Sequence, residues 1–255
     1  MEGIDNMTKI VHQRVFLTLA AFAVMSVEAE ARQGFNYQQG SVPIIHHFPH
    51  PLNATMAIPD PVGSYNFRLN AFRQQKDNGS TYDFSGHLSY GMFDWGGIHL
   101  RSLGVKTTPL TEMIAMVGLW RNGRRTQGVS LLGIVGLPTG KKEGNGHHGL
   151  TYLAGLTGRI AKEGIITNDM ILHYDFSAKH TITETGTVVK LMANLFATLD
   201  ARGTFGSDQP DIALLTSLKF QLFAATFLAL GYHTPVTNTR TFSHQVFVQV
   251  EVGSH

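Results

Sequence analysis

The stretch Asp169–Ser177, DMILHYDFS, decides the fold because its side chains alternate between two chemical kinds. The even-numbered residues are all apolar, and the odd-numbered ones, apart from Ile171, are polar or ionisable. Side chains of a β-strand point alternately to its two faces, and a dry core tolerates ionisable groups only when they are paired. The stretch therefore predicts a barrel strand that contacts lipid on one face and a wet interior on the other.

The same alternation recurs in successive segments from Tyr65 to Val252. Splitting the long segment 186–205 near Asn194 gives two strands, because a tilted membrane strand needs only about 9–11 residues. Short turns then alternate with longer loops, which is the layout of a bacterial outer-membrane barrel. The predicted fold class is all-β, an antiparallel transmembrane β-barrel of about 12 strands.

A soluble periplasmic β-sandwich or barrel is the alternative, because its strands also alternate but place the apolar face inside. Two features favour the membrane barrel. One is the even number of predicted strands, and the other is the presence of aromatic residues near strand ends, where an interfacial girdle would lie. These aromatic residues are Tyr65, Tyr82, Trp120 and Tyr232.

The N-terminal region has the three parts of a secretory signal peptide. Lys9 and Arg14 precede the apolar run 15–27, and the small-residue site Ala29-Glu30-Ala31 follows it. The run is shorter than the about 20 residues of a membrane-spanning helix, although an uncleaved anchor helix is the alternative. We predict a signal peptide over 1–31, an irregular segment rich in proline and histidine over 32–62, and the β-barrel over 63–252. This export signal and the barrel pattern predict location in the outer membrane of a Gram-negative (diderm) bacterium.

Composition excludes several classes of function. The chain has 255 residues, a formal net charge of +2 and no cysteine. A nearly neutral chain offers no basic surface for nucleic acid, and a chain without cysteine forms neither disulfides nor thiolate metal sites. We predict no cofactor, with outer-membrane lipid and a small-molecule solute as partners. The sequence does not determine the oligomeric state.

Three segments resemble a hallmark of the outer-membrane transporters named for the meta-pathway of phenol degradation. They are Gly133–Lys141 (GIVGLPTGK), Tyr152–Leu156 (YLAGL) and Ala197–Gly203 (ATLDARG). The similarity extends from about Gly63 to Val252. It implies a barrel of about twelve strands that passes small hydrophobic or aromatic molecules.

Ionisable side chains on the polar faces of the strands are the candidate lining of the lumen, where rings of mixed charge would set selectivity. They are His87, Arg101, Glu112, Asp169, His173, Asp175, Lys190, Asp200, Arg202 and Lys219. A salt-bridged network that only stabilises the barrel is an equal alternative.

The favoured function is passive passage of small solutes through a polar lumen, narrowed by loops and by the segment 32–62. A first alternative is a barrel that handles Cu, Ni or Zn ions through His46, His47 and His50, because three imidazoles within five residues suit these metals. A second is a rim hydrolase acting on lipid, in which Ser85 or Ser89 would pair with His87 or His173. We predict that the protein is not an enzyme.

Overall fold

A computed structural model describes residue 50 and residues 57–76, 79–103, 110–139, 149–206, 210–223, 225–237 and 244–253. In this part of the chain, twelve strands form one closed antiparallel barrel in which the first strand pairs with the last. The predicted fold class is confirmed. No helix among these residues is long and apolar enough to cross a membrane. The predicted signal peptide lies outside the described residues.

Each strand pairs with its neighbours in sequence, so every connection joins adjacent strands. The strands are β1 Tyr65–Lys76, β2 Gly79–Phe93, β3 Gly96–Ser102, β4 Leu110–Arg121, β5 Gln127–Pro138, β6 Thr151–Lys162, β7 Ile166–Asp175, β8 His180–Met192, β9 Leu195–Phe205, β10 Asp211–Phe223, β11 Thr226–Pro235 and β12 His244–Gly253.

The connections at one end of the barrel are mostly shorter than those at the other end, as the sequence predicts. Those at 94–95 and 193–194 are short and lie at one end of the barrel, whereas those at 103–109 and 139–150 lie at the other end and are longer. The predicted break near Asn194 is therefore confirmed. A bulge between Gln221 and Phe223 extends β10 to Phe223 before the chain reverses into β11.

Most exposed large side chains of the strands are apolar and face outward, whereas most of the charged side chains are buried on the inner face. On β7, Leu172 is 51% exposed and Tyr174 is 41% exposed, whereas Asp169 is completely buried and Asp175 nearly so. The same pattern holds on β1, where Phe67 is exposed and Arg68 is buried. This arrangement inverts that of a soluble core and suits a barrel surrounded by hydrocarbon.

The interior is not polar throughout. Ile171, which interrupts the polar face of β7, is buried in a cluster of six aliphatic side chains on β4 to β8. We call this the aliphatic cluster; its members are Ile114, Leu132, Ile134, Leu153, Ile171 and Ile182. The sequence left the facing of β4 and β5 open because both faces are apolar. The structure turns these aliphatic residues of both strands inward.

Candidate functional site

Most of the predicted lumen residues are buried on the inner face of the barrel. They are His87, Arg101, Glu112, Asp169, His173, Asp175, Asp200 and Lys219. Two of the predicted lumen residues are not fully buried. Arg202 is half-buried, and Lys190 is exposed near the end of β8, where its ammonium lies 6.0 Å from the ring centre of Phe196.

Buried ion pairs hold neighbouring strands together across the inner face. Arg101 Nε donates to Glu112 Oε2 at 2.6 Å, between β3 and β4. Arg159 donates to both carboxylate oxygens of Asp169, at 2.7 and 2.6 Å, between β6 and β7. Arg159 was not among the lumen residues predicted from the sequence. Arg159 lies two residues from the polar Thr157, and this spacing, which places both side chains on the same face of a strand, was a usable signal.

A third buried pair anchors a residue that precedes the barrel. Lys219 Nζ donates to Glu251 Oε2 at 2.7 Å and to the main-chain oxygen of His50 at 2.6 Å. The main-chain nitrogen of His50 donates to Glu251 Oε1 at 3.1 Å, and the imidazole Nδ1 of His50 lies 2.5 Å from the same oxygen. Asn66 donates to that oxygen as well. His50 is therefore bound to the inner wall formed by β10, β12 and β1.

The chain just before β1 also lies against the inner wall. Thr157 Oγ1 donates to the main-chain oxygen of Ala57 at 2.6 Å, and Arg125 donates to that of Pro59. Ile58 is 1% exposed. At the end of this segment, Gly63 adopts a positive φ of 76° and its nitrogen donates to Gly91 O. Residues 57–64, which we call the inner segment, thus run from the interior, where residues 57–60 are buried, to the end of the barrel with short turns, where Val62 is exposed.

Gly91 is required for this close approach, because a Cβ there would overlap the main-chain oxygen of Pro61. We expect Gly91→Ala to displace the inner segment. In an Ile58→Cys background, a water-soluble maleimide should then label the cysteine several-fold faster than in the same background with glycine at 91. The chain has no other cysteine to interfere.

Gly86 on the same strand provides the control. A Cβ there would meet only the main-chain oxygen of Arg68, at an ordinary 3.8 Å. Gly86→Ala should therefore leave the labelling rate unchanged. Equal rates in the two alanine variants would show that the segment does not depend on contact with Gly91.

A hydrogen-bonded chain of side chains joins β1, β2 and β3. Arg68 donates to His87 Nδ1, because a guanidinium is only a donor. His87 Nε2 then donates to His99 Nδ1 at 3.0 Å. Both ring nitrogens of His87 are engaged, so neither serves a serine nucleophile. Ser85 instead accepts from Asn70. The pairing that the hydrolase alternative needs at His87 is not formed.

The metal alternative loses one of its three histidines to another role. His46 and His47 lie outside the described residues, and His50 binds Glu251 and Lys219. Among the residues that the structure describes, no group of three or more His, Cys, Asp and Glu side chains could hold a metal ion.

No family model matches the chain, and no curated protein matches it. Several solved structures share its fold. An outer-membrane channel from Pseudomonas putida F1 superposes with a TM-score of 0.60 at 9% identity, covering 80% of this chain and all of that one. The KdgM porin superposes with a TM-score of 0.56 at 10% identity, covering 74% of this chain and 99% of the porin. The NanC porin superposes with a TM-score of 0.54 at 8% identity, covering 73% of this chain and 98% of the porin. KdgM has also been solved in complex with disordered oligogalacturonate. The chain therefore has the fold of porin-like outer-membrane barrels.

Proposed function

We propose that the protein is a channel for small solutes in the outer membrane of a Gram-negative bacterium. The observation that carries the proposal is the inverted polarity of a closed barrel. Its outer face is apolar, whereas charged side chains such as Arg68, Asp169 and Lys219 are buried inside. Charged groups are costly on a lipid-facing surface, and charged rings within a barrel act on the solutes that pass.

The two kinds of inner wall suggest the kind of solute. The aliphatic cluster covers part of the wall from β4 to β8, whereas β1 to β3 present Arg68, His87 and His99. A solute with an apolar body and a polar group would find partners on both sides. This supports passage of small hydrophobic or aromatic molecules with a polar group, in line with the resemblance to the meta-pathway transporters.

The inner segment and His50 would restrict this passage. His50 is bound near β10 and β12, and Ala57 is bound near β6 and β7. Residues on both sides of the interior thus hold the chain that precedes β1. We infer that this chain limits the conductance of the resting barrel.

Reconstitution into planar lipid bilayers tests the proposal. We expect the full chain to give small, discrete conductance steps, and Gly91→Ala to give larger ones because the inner segment is displaced. Gly86→Ala should match the parent protein. If folded parent and Gly91→Ala proteins leave the bilayer as resistive as protein-free lipid, the channel function is wrong.

A further inference from the structure

His173 on β7 is a buried imidazole that the described residues leave without a hydrogen bond. Its side chain faces the interior and is 3% exposed, yet neither Nδ1 nor Nε2 has a partner among them. Buried polar groups are nearly always paired, because burial removes their hydration without replacement. The partner of this imidazole therefore comes from what fills the lumen.

The charges around His173 balance one another. Glu184 on β8, Arg101 on β3, Arg202 on β9 and Glu112 on β4 all act on it electrostatically. Arg101 is bound to Glu112, whereas Arg202 Nε lies 3.5 Å from Glu184 Oε1. Neither carboxylate oxygen of the buried Glu184 accepts a hydrogen bond from the described residues. These two cations and two anions together carry no net formal charge.

An apolar surface adjoins the imidazole. Ile171 lies two residues earlier on the same inward face of β7, and Ile182 is the Cα partner of His173 on β8. Both belong to the aliphatic cluster. A solute that reached His173 would therefore have an apolar wall beside the polar group that it meets.

We propose that His173 and Glu184 bind the hydroxyl group of a small, uncharged amphiphile whose apolar body lies on the aliphatic cluster. A neutral imidazole donates through one nitrogen and accepts through the other, and a hydroxyl also does both. The Glu184 carboxylate accepts from the same kind of group. A ketone only accepts, an ammonium only donates, and a carboxylate brings an uncompensated charge. The inference rests on the proposed entry of solutes into the lumen.

The test uses four compounds with one body, namely cyclohexanol, cyclohexanone, cyclohexylammonium and cyclohexanecarboxylate. Their dissociation constants are measured by ligand-detected NMR on the full chain in lipid nanodiscs, with empty nanodiscs as the blank. We expect cyclohexanol to bind about fivefold more tightly than the other three, which is the effect of one net hydrogen bond. It should also shift the imidazole signal of His173.

Three variants assign this preference to the site. His173→Leu should abolish it, whereas His173→Gln, which keeps one donor and one acceptor, should retain part of it. His233→Leu is the matched control, because His233 is a buried inward-facing histidine on β11 that already binds Gln245 at 2.8 Å. It should bind cyclohexanol as the parent does. Heat-modifiable migration on a gel identifies the variants that fold.

Either of two kinds of result would overturn the inference, one in the parent protein and one in the variants. One is equal binding of the four compounds to the parent, as expected if His173 is merely hydrated. The other is an unchanged preference in folded His173→Leu or its complete loss in folded His173→Gln. If binding depends on His173 but the reconstituted barrel carries no current, the binding site stands and the proposed channel is wrong.

Discussion

Asp169→Leu is expected to lower the free energy of unfolding of the barrel by about 3–5 kcal/mol, because it leaves a buried cation without its partner. Asp169 is completely buried and accepts two hydrogen bonds from Arg159, whose side chain is only 10% exposed. Urea unfolding from lipid vesicles, followed by the fluorescence of Trp95 and Trp120, measures the loss.

The double variant Arg159→Met/Asp169→Leu separates the cost of the stranded charge from that of lost packing. Replacing both members of a buried ion pair by apolar residues is often nearly neutral. We therefore expect the double variant to recover most of the stability. The main-chain nitrogen of Ala57, which lies 3.4 Å from Asp169 Oδ2, loses its partner in both variants. If the single and double variants are equally unstable, stranding of Arg159 is not the cause.

Leu218→Arg is expected to cost about 2–4 kcal/mol in folding into a bilayer, because it places a charge on the lipid-facing surface near the middle of a strand. Leu218 lies centrally in β10 and is exposed on the outer face, between the inward-facing Ser217 and Lys219. The yield of heat-modifiable, folded protein in vesicles of increasing lipid thickness measures the effect.

Leu222→Arg is the control, because it makes the same change at an exposed leucine near the end of the same strand. The cost of a charge falls to about 0–1 kcal/mol near the interface. Folding should therefore be close to that of the parent. An equal loss of folded protein for Leu218→Arg and Leu222→Arg would contradict the prediction that the middle of β10 lies in the hydrocarbon and its end lies near the interface.

The sequence left two roles open for the charged residues of the interior, a lining that sets selectivity and a salt-bridged network that stabilises the barrel. The observed ion pairs bear on this choice. Arg159 with Asp169, and Lys219 with Glu251, are closed pairs that stabilise adjacent parts of the wall. His173 differs, since its ring nitrogens have no partner among the described residues. The structure thus shows closed ion pairs at some positions, whereas the surface for solutes at His173 is the site that we propose.

The sequence by itself determined the local features of the barrel. The alternation in Asp169–Ser177 predicted which side chains point outward, and the break near Asn194 separated β8 from β9. These features follow from a side-chain period of two and from turn chemistry, which depend only on residues close together in the chain. For the same reason the sequence placed most of the ionisable residues on the correct face.

Only the tertiary structure decided which of those residues meet. Glu251 contacts His50, 201 positions away in the chain, and Lys219, which is on a strand that does not pair with β12. Such contacts depend on the register at which twelve strands close, and on a preceding segment that enters the interior. A local sequence pattern specifies neither this register nor the position of the preceding segment. That is also why the histidine cluster suggested a metal site, whereas the fold engages His50 in hydrogen bonds with Glu251.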